Sequence, residues 1–122
     1  MAYNTNIQVK SNAIHASGGF FESSDETLKN FENKLDIDFN ELSRLKKNYF
    51  TWKDSNIKER QIGVSAQEIQ KLYPELVQTQ EDGTLVVAYD KLSVIALAAI
   101  DKLHEENQKL KERLIILETK LN

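Results

Sequence analysis

The sequence predicts a helix-rich α+β domain in which short helices and a small hairpin pack on a long C-terminal helix that self-associates. Three observations carry this reading. Helix-start signatures recur at Ser23/Glu26, Asp38/Glu41 and Ser65/Glu68, a turn sequence separates two short apolar runs after Pro74, and neither glycine nor proline interrupts the stretch from Asp90 to Lys120.

With 122 residues the chain suffices for one compact domain and is too short for two. Its 16 Lys and Arg against 19 Asp and Glu leave a net charge of -3, which argues against nucleic acid or an anionic bilayer as partner. The absence of cysteine excludes disulfides, thiolate zinc sites and cysteine nucleophiles. The longest uninterrupted apolar run, Val94 to Ile100, falls far short of the roughly 20 residues that span a bilayer, and the N-terminal stretch lacks a signal-peptide pattern. A soluble protein is expected.

The elements follow in order. Met1 to Gly19 is poor in charge, and Asn6-Ile7-Gln8-Val9-Lys10 alternates with the period of a strand. Ser17-Gly18-Gly19 marks a break, which divides the chain into a lead-in (1–19) and a domain (20–122). A short helix is predicted from the Ser23/Glu26 box to about Leu35, and a second from Asp38, its apolar stripe at Leu42 and Leu45 ending before Tyr49. Tyr49-Phe50-Thr51-Trp52 reads as a strand whose aromatic rings belong to the core. The Ser65/Glu68 box, bracketed by Val64 and Ile69, opens a third helix that stops at Pro74. Glu81-Asp82-Gly83 joins Leu76-Val77 to Leu85-Val86-Val87 as a hairpin.

Asp90 is the predicted cap of a helix over 90–121, about 48 Å long at 1.5 Å per residue. Leu92 to Ile100 is apolar on nearly every face, as for a helix running through a packed domain. From about residue 100 a seven-residue repeat takes over: Ile100, Asn107, Leu114 and Leu121 alternate with Leu103, Leu110 and Leu117. This is a coiled-coil seam, with Asn107 as a polar register-setting residue. Leucine at both seam positions leaves the number of chains open.

Chemistry has few carriers. His15 and His104 are far apart with no ligand spacing around them, so neither a metal site nor a Ser/His/Asp triad is supported, and His104 is expected on the exposed face of the long helix. No glycine-rich phosphate loop occurs. No cofactor is expected. What remains is Ser23-Ser24-Asp25-Glu26-Thr27-Leu28-Lys29, which alone reads as a helix cap followed by a solvated lysine.

In its context the heptad resembles the signature of the C-terminal intramolecular chaperone and auto-processing domains of phage tail spikes and fibres, of the endosialidase type. The family's Ser-Asp pair, with a lysine five residues after the serine, is matched by Ser24, Asp25 and Lys29. Further matches are Tyr49-Phe50-Thr51-Trp52-Lys53, Ile62-Gly63-Val64-Ser65-Ala66-Gln67-Glu68, Pro74-Glu75-Leu76-Val77 and Val87-Ala88-Tyr89. Glu26 and Thr27 depart from the family, which often has basic residues there, and so change the charge near Lys29.

The resemblance implies a parallel homotrimer that directs assembly of the upstream fibre segment and then releases itself by cleavage between Ser23 and Ser24. Met1 to Ser23 would be the end of that fibre. Ser24 would be the nucleophile and Lys29 the base, with Asp25, Gly18 and Gly19 in support. No small-molecule substrate is implied. The expected location is the host cytoplasm during virion assembly, the fibre ending in the tail and the chaperone part released.

Ser24 would attack the preceding carbonyl through a five-membered ring, so the chain itself supplies proximity. A lysine is a base only when neutral, and from an ordinary value of about 10.4 neutrality at pH 7 costs about 4.6 kcal/mol. The reading therefore requires Lys29 to be desolvated in the assembled fold. Two alternatives stand beside it. One is a trimerisation module that does not cleave. The other is a polyanion-binding module on the stretch Arg44 to Arg60, where Arg44, Lys46, Lys47, Lys53, Lys58 and Arg60 face only Asp54 and Glu59.

Overall fold

The computed structural model describes residues 7–53 and 56–122. They form an α+β structure with three α-helices, the last of them long, and two antiparallel hairpins. The chain divides into two units, one of residues 1–32 with 51–59 and one of 33–50 with 60–122.

In the first unit Ile7 to Lys10 has no regular structure, so the strand expected there does not form; its first residue, Asn6, lies outside the described residues. Ile7 and Val9 are exposed, and an alternating pattern without a neighbouring strand has nothing to pair its backbone with. Gly19 takes a φ of 100°, in the left-handed region that glycine enters freely, next to a turn at Ser17 and Gly18. The helix expected from Ser23 to Leu35 is also absent. Only one 3₁₀ turn, Glu26–Leu28, is present, and its cap is Asp25, not Ser23. Leu28 and Phe31 remain 78% and 76% exposed, and a short helix that buries no face is not stable in water.

The second unit opens with a segment without regular secondary structure that leads into α1, Phe39–Arg44. Asp38 caps it as predicted, its carboxylate accepting from the N–H groups of Asn40 and Glu41. Strand β1, Lys47–Phe50, pairs with β2, Gln61–Val64, in a register that sets Tyr49 against Ile62 and Phe50 against Gln61. Opposed residues share a face. Tyr49 and Ile62 consequently point to solvent while Phe50 turns inward, and Trp52, in the first unit, is exposed, which corrects the expectation of a buried aromatic set. The Arg60 guanidinium lies 3.9 Å from the centre of the Tyr49 ring and covers it.

Helix α2, Ala66–Leu72, is capped by the Ser65 hydroxyl, which accepts from the Glu68 N–H. The predicted box is only half formed, because the Glu68 carboxylate instead accepts from the Lys46 N–H at 3.0 Å and ties α2 to the start of β1. After a 3₁₀ turn at Pro74–Leu76, β3 (Val77–Thr79) and β4 (Leu85–Val87) form the predicted hairpin, with Gly83 at φ 87° in its turn. This hairpin packs on α2, and the Ala88 N–H donates to the Leu76 carbonyl at the entry to α3, Tyr89–Leu121.

Asp90 does not cap α3. It lies in the first turn, where its charge complements the helix dipole, and the cap position is Ala88. The proximal half of α3 is not enclosed on all sides: Ile95 is buried, whereas Val94 and Leu97 are exposed. Further along the helix the Lys102 ammonium donates to the carbonyl of the buried Ile37 and lies 5.2 Å from the Phe39 ring centre. Ile37, Ile69 and Ile95 are the buried apolar side chains among the described residues. Gly63 marks a close crossing. A Cβ there would lie 2.7 Å from the Tyr89 hydroxyl and 2.8 Å from Phe50 Cε1, and the Val64 N–H donates to that hydroxyl at 3.0 Å.

Candidate active site

The site is built in the first unit from six consecutive residues. Asp25 is extended (φ −64°, ψ 125°), and its carboxylate Oδ1 accepts from the Thr27 N–H at 2.9 Å and the Thr27 hydroxyl at 2.7 Å. The Leu28 and Lys29 N–H groups then donate to the Asp25 and Glu26 carbonyls at 3.1 and 3.2 Å, closing the single turn. Lys29 leaves the turn extended, and its Nζ returns to donate to Ser24 Oγ at 2.6 Å. The turn thus brings together the two residues that the sequence singled out as nucleophile and base.

The Thr27 hydroxyl, and after it the Thr27 N–H, hold the Asp25 carboxyl below the usual carboxylate range. Ser24, Asp25 and Lys29 are exposed, as is Ser23 on the other side of the candidate bond. The Lys29 ammonium lies 6.0 Å from the Phe31 ring centre. Gly18 and Gly19 have no atom within 4 Å of an added Cβ, so both stand in open surroundings.

Thr27 was absent from the residues picked out by sequence. Its signal was available: a threonine two positions after an aspartate is placed to satisfy an Asx turn. The remaining candidates lie on α3, in the other unit. Ile100, Leu103, Leu110, Leu114, Leu117 and Leu121 are between 55% and 87% exposed, and Asn107 and His104 are exposed as well. Among the described residues no group of three His, Cys, Asp or Glu is placed to hold a metal ion, and no helix is long and apolar enough to cross a membrane.

Comparison with known proteins adds one finding. The family model described as chaperone of endosialidase matches residues 24–78. No curated protein and no solved structure matches the chain. The matched stretch starts at Ser24, takes in the 3₁₀ turn, α1, β1, β2 and α2, and ends on β3. Over residues 24–78 the chain is thus similar to the chaperone of endosialidase family.

Proposed function

We propose that the chain is a C-terminal intramolecular chaperone that trimerises through α3, directs assembly of the fibre or spike segment before Ser24, and then severs the Ser23–Ser24 bond. The observation that carries the reading is the 2.6 Å contact between Lys29 Nζ and Ser24 Oγ, at the residue where the family match begins. The lead-in of residues 1–19 belongs to the upstream segment and residues 20–122 to the chaperone domain, of which residues 20–23 stay on the upstream product when the Ser23–Ser24 bond is cut.

In the proposed reaction neutral Lys29 accepts the Ser24 hydroxyl proton as Oγ bonds to the Ser23 carbonyl carbon. The tetrahedral intermediate expels the Ser24 nitrogen, which takes up a proton, and an ester links Ser23 to Ser24 Oγ. Water then hydrolyses the ester, leaving a Ser23 carboxylate and a Ser24 with free amine and restored hydroxyl. Backbone N–H groups about Gly18 and Gly19 are the proposed oxyanion donors. The hydrogen bond must reverse for this step, because an ammonium donates to the hydroxyl whereas a neutral amine accepts from it.

Reversal needs water removed from around Lys29, and both side chains are exposed in the single chain. Covering the pair in the assembled trimer supplies that desolvation, so cleavage follows assembly. A chaperone that trimerises first also lowers the entropy cost of choosing a chain register in an intertwined stem. The setting is virion assembly in a host cell, with the released domain leaving a fibre that persists kinetically.

The exposure of Ser24 and Lys29 favours a second reading, a trimerisation module in which the pair is only a surface contact. Intact mass separates the two. Wild-type chain should yield a fragment beginning at Ser24, while Ser24→Ala and Lys29→Ala stay whole and folded. Cleavage that persists in Ser24→Ala overturns the nucleophile assignment, and a wild-type trimer that stays whole establishes the second reading.

A further inference from the structure

Ser24 and Lys29 are five residues apart, and an extended chain would hold their Cα atoms about 16 Å apart, beyond the reach of a lysine side chain. Closure depends on the turn between them. That turn is a single 3₁₀ unit with no buried residue, the kind of element that is marginal when packing does not support it. Its hydrogen bonds are therefore its support. Two of the four converge from Thr27, through hydroxyl and amide, on one oxygen of Asp25; the others are the Leu28 and Lys29 amide bonds that define the turn.

The hydroxyl bond is distinctive among them. At 2.7 Å it is the shortest of the four, and it runs to an ionised carboxylate, the stronger class of hydrogen bond. It is also the one bond of the four that depends on a side chain at both ends. Any residue other than proline could donate the amides, whereas the hydroxyl requires Thr or Ser at position 27.

We propose that Thr27 is a positioning residue for the self-cleavage reaction: its hydroxyl, bonded to Asp25, holds the 3₁₀ turn closed so that Lys29 is presented to Ser24. The inference rests on the self-cleavage reading for its effect on rate, and on the turn alone for its structural content. Thr27 touches neither the scissile bond nor the reacting oxygen, and Asp25 acts through Thr27, not as a proton carrier.

The test uses the full chain with Thr27→Val, which keeps the branched shape and the amide bond but loses the hydroxyl, and Thr27→Ser, which restores it. Loss of one such bond at an exposed site should slow appearance of the Ser24 fragment about three- to tenfold in Thr27→Val, with most of the rate recovered in Thr27→Ser. Sedimentation should give both variants the wild-type oligomeric state. In an uncleavable Ser24→Ala background, hydrogen exchange at the Lys29 amide, the last bond of the turn, should accelerate in Thr27→Val and not in Thr27→Ser.

The outcomes separate the two claims. If wild-type chain never cleaves, the reaction fails, and the exchange arm still decides whether Thr27 holds the turn. If wild-type cleaves and Thr27→Val matches it in rate, the positioning role is overturned while the reaction stands. Equal slowing in Val and Ser variants also overturns it, since the hydroxyl is then not the cause. Unchanged Lys29 exchange in Thr27→Val removes the structural basis of the proposal.

Discussion

The Ser24–Lys29 turn and the Gly63 crossing are both small constellations centred on a hydroxyl, yet they are assembled over different ranges. In the first, every hydrogen bond spans at most five residues and every participant is exposed. In the second, Gly63 and Val64 on β2 meet Phe50 on β1 and the Tyr89 hydroxyl 25 residues away, so the contact exists only once the second unit has folded. Local bonding can bring the proposed nucleophile and base together without a folded core, but it cannot remove water from them. The difference fits the proposed self-cleavage, prepared early and switched on late.

The largest effects should fall on the long-range side. Ile69 is 0% exposed, and Ile69→Ala should destabilise the second unit by about 2–5 kcal/mol in urea unfolding, from lost transfer energy and the cavity left behind. Gly63→Ala comes next. The added methyl would press on Tyr89 and Phe50, and overpacking of that kind costs about 1–3 kcal/mol. Neither substitution should alter hydrogen exchange at the Lys29 amide. If either does, the turn is not locally held and the comparison fails.

A smaller effect concerns alkaline pH. Burial, and then the nearby charges of Asp36 and Asp38, raise the Tyr73 phenol above its ordinary value of 10.0. With its folded value above its unfolded one, Tyr73 contributes stability that is complete below 10.0 and is lost as pH rises through the raised value. Tyr73→Phe cannot ionise, so its unfolding midpoint should decline less above pH 10.0 than that of the wild type.

What the sequence disclosed follows the same division of range. The Asp38 and Ser65 caps, the Gly83 turn and the uninterrupted helix to Leu121 were legible because each depends on residues within a turn or two of one another. The β2 strand was not, because Gln61 to Val64 is too short to show a period and is fixed by its pairing with β1. Ser23 with Glu26 imitated a helix start whose apolar positions, Leu28 and Phe31, found nothing to bury against. The spacing of Ser24 and Lys29 was readable; the Thr27 hydroxyl bond to Asp25 between them required the turn to be seen.

The central claim is that a locally built site is activated by assembly, and the exposed α3 stripe is where assembly can be broken at a distance. Leu110→Asp with Leu117→Asp places six carboxylates in a trimeric seam, where an unpaired buried charge costs several kcal/mol. Leu110→Ile with Leu117→Ile keeps the seam apolar and serves as the control. The measurement is the rate of appearance of the Ser24 fragment, read beside sedimentation of the same samples. The account predicts that the aspartate variant is monomeric and uncleaved while the isoleucine variant is trimeric and cleaves. A monomeric aspartate variant that cleaves at the wild-type rate would mean that the site is complete within one folded chain, and would contradict activation by assembly.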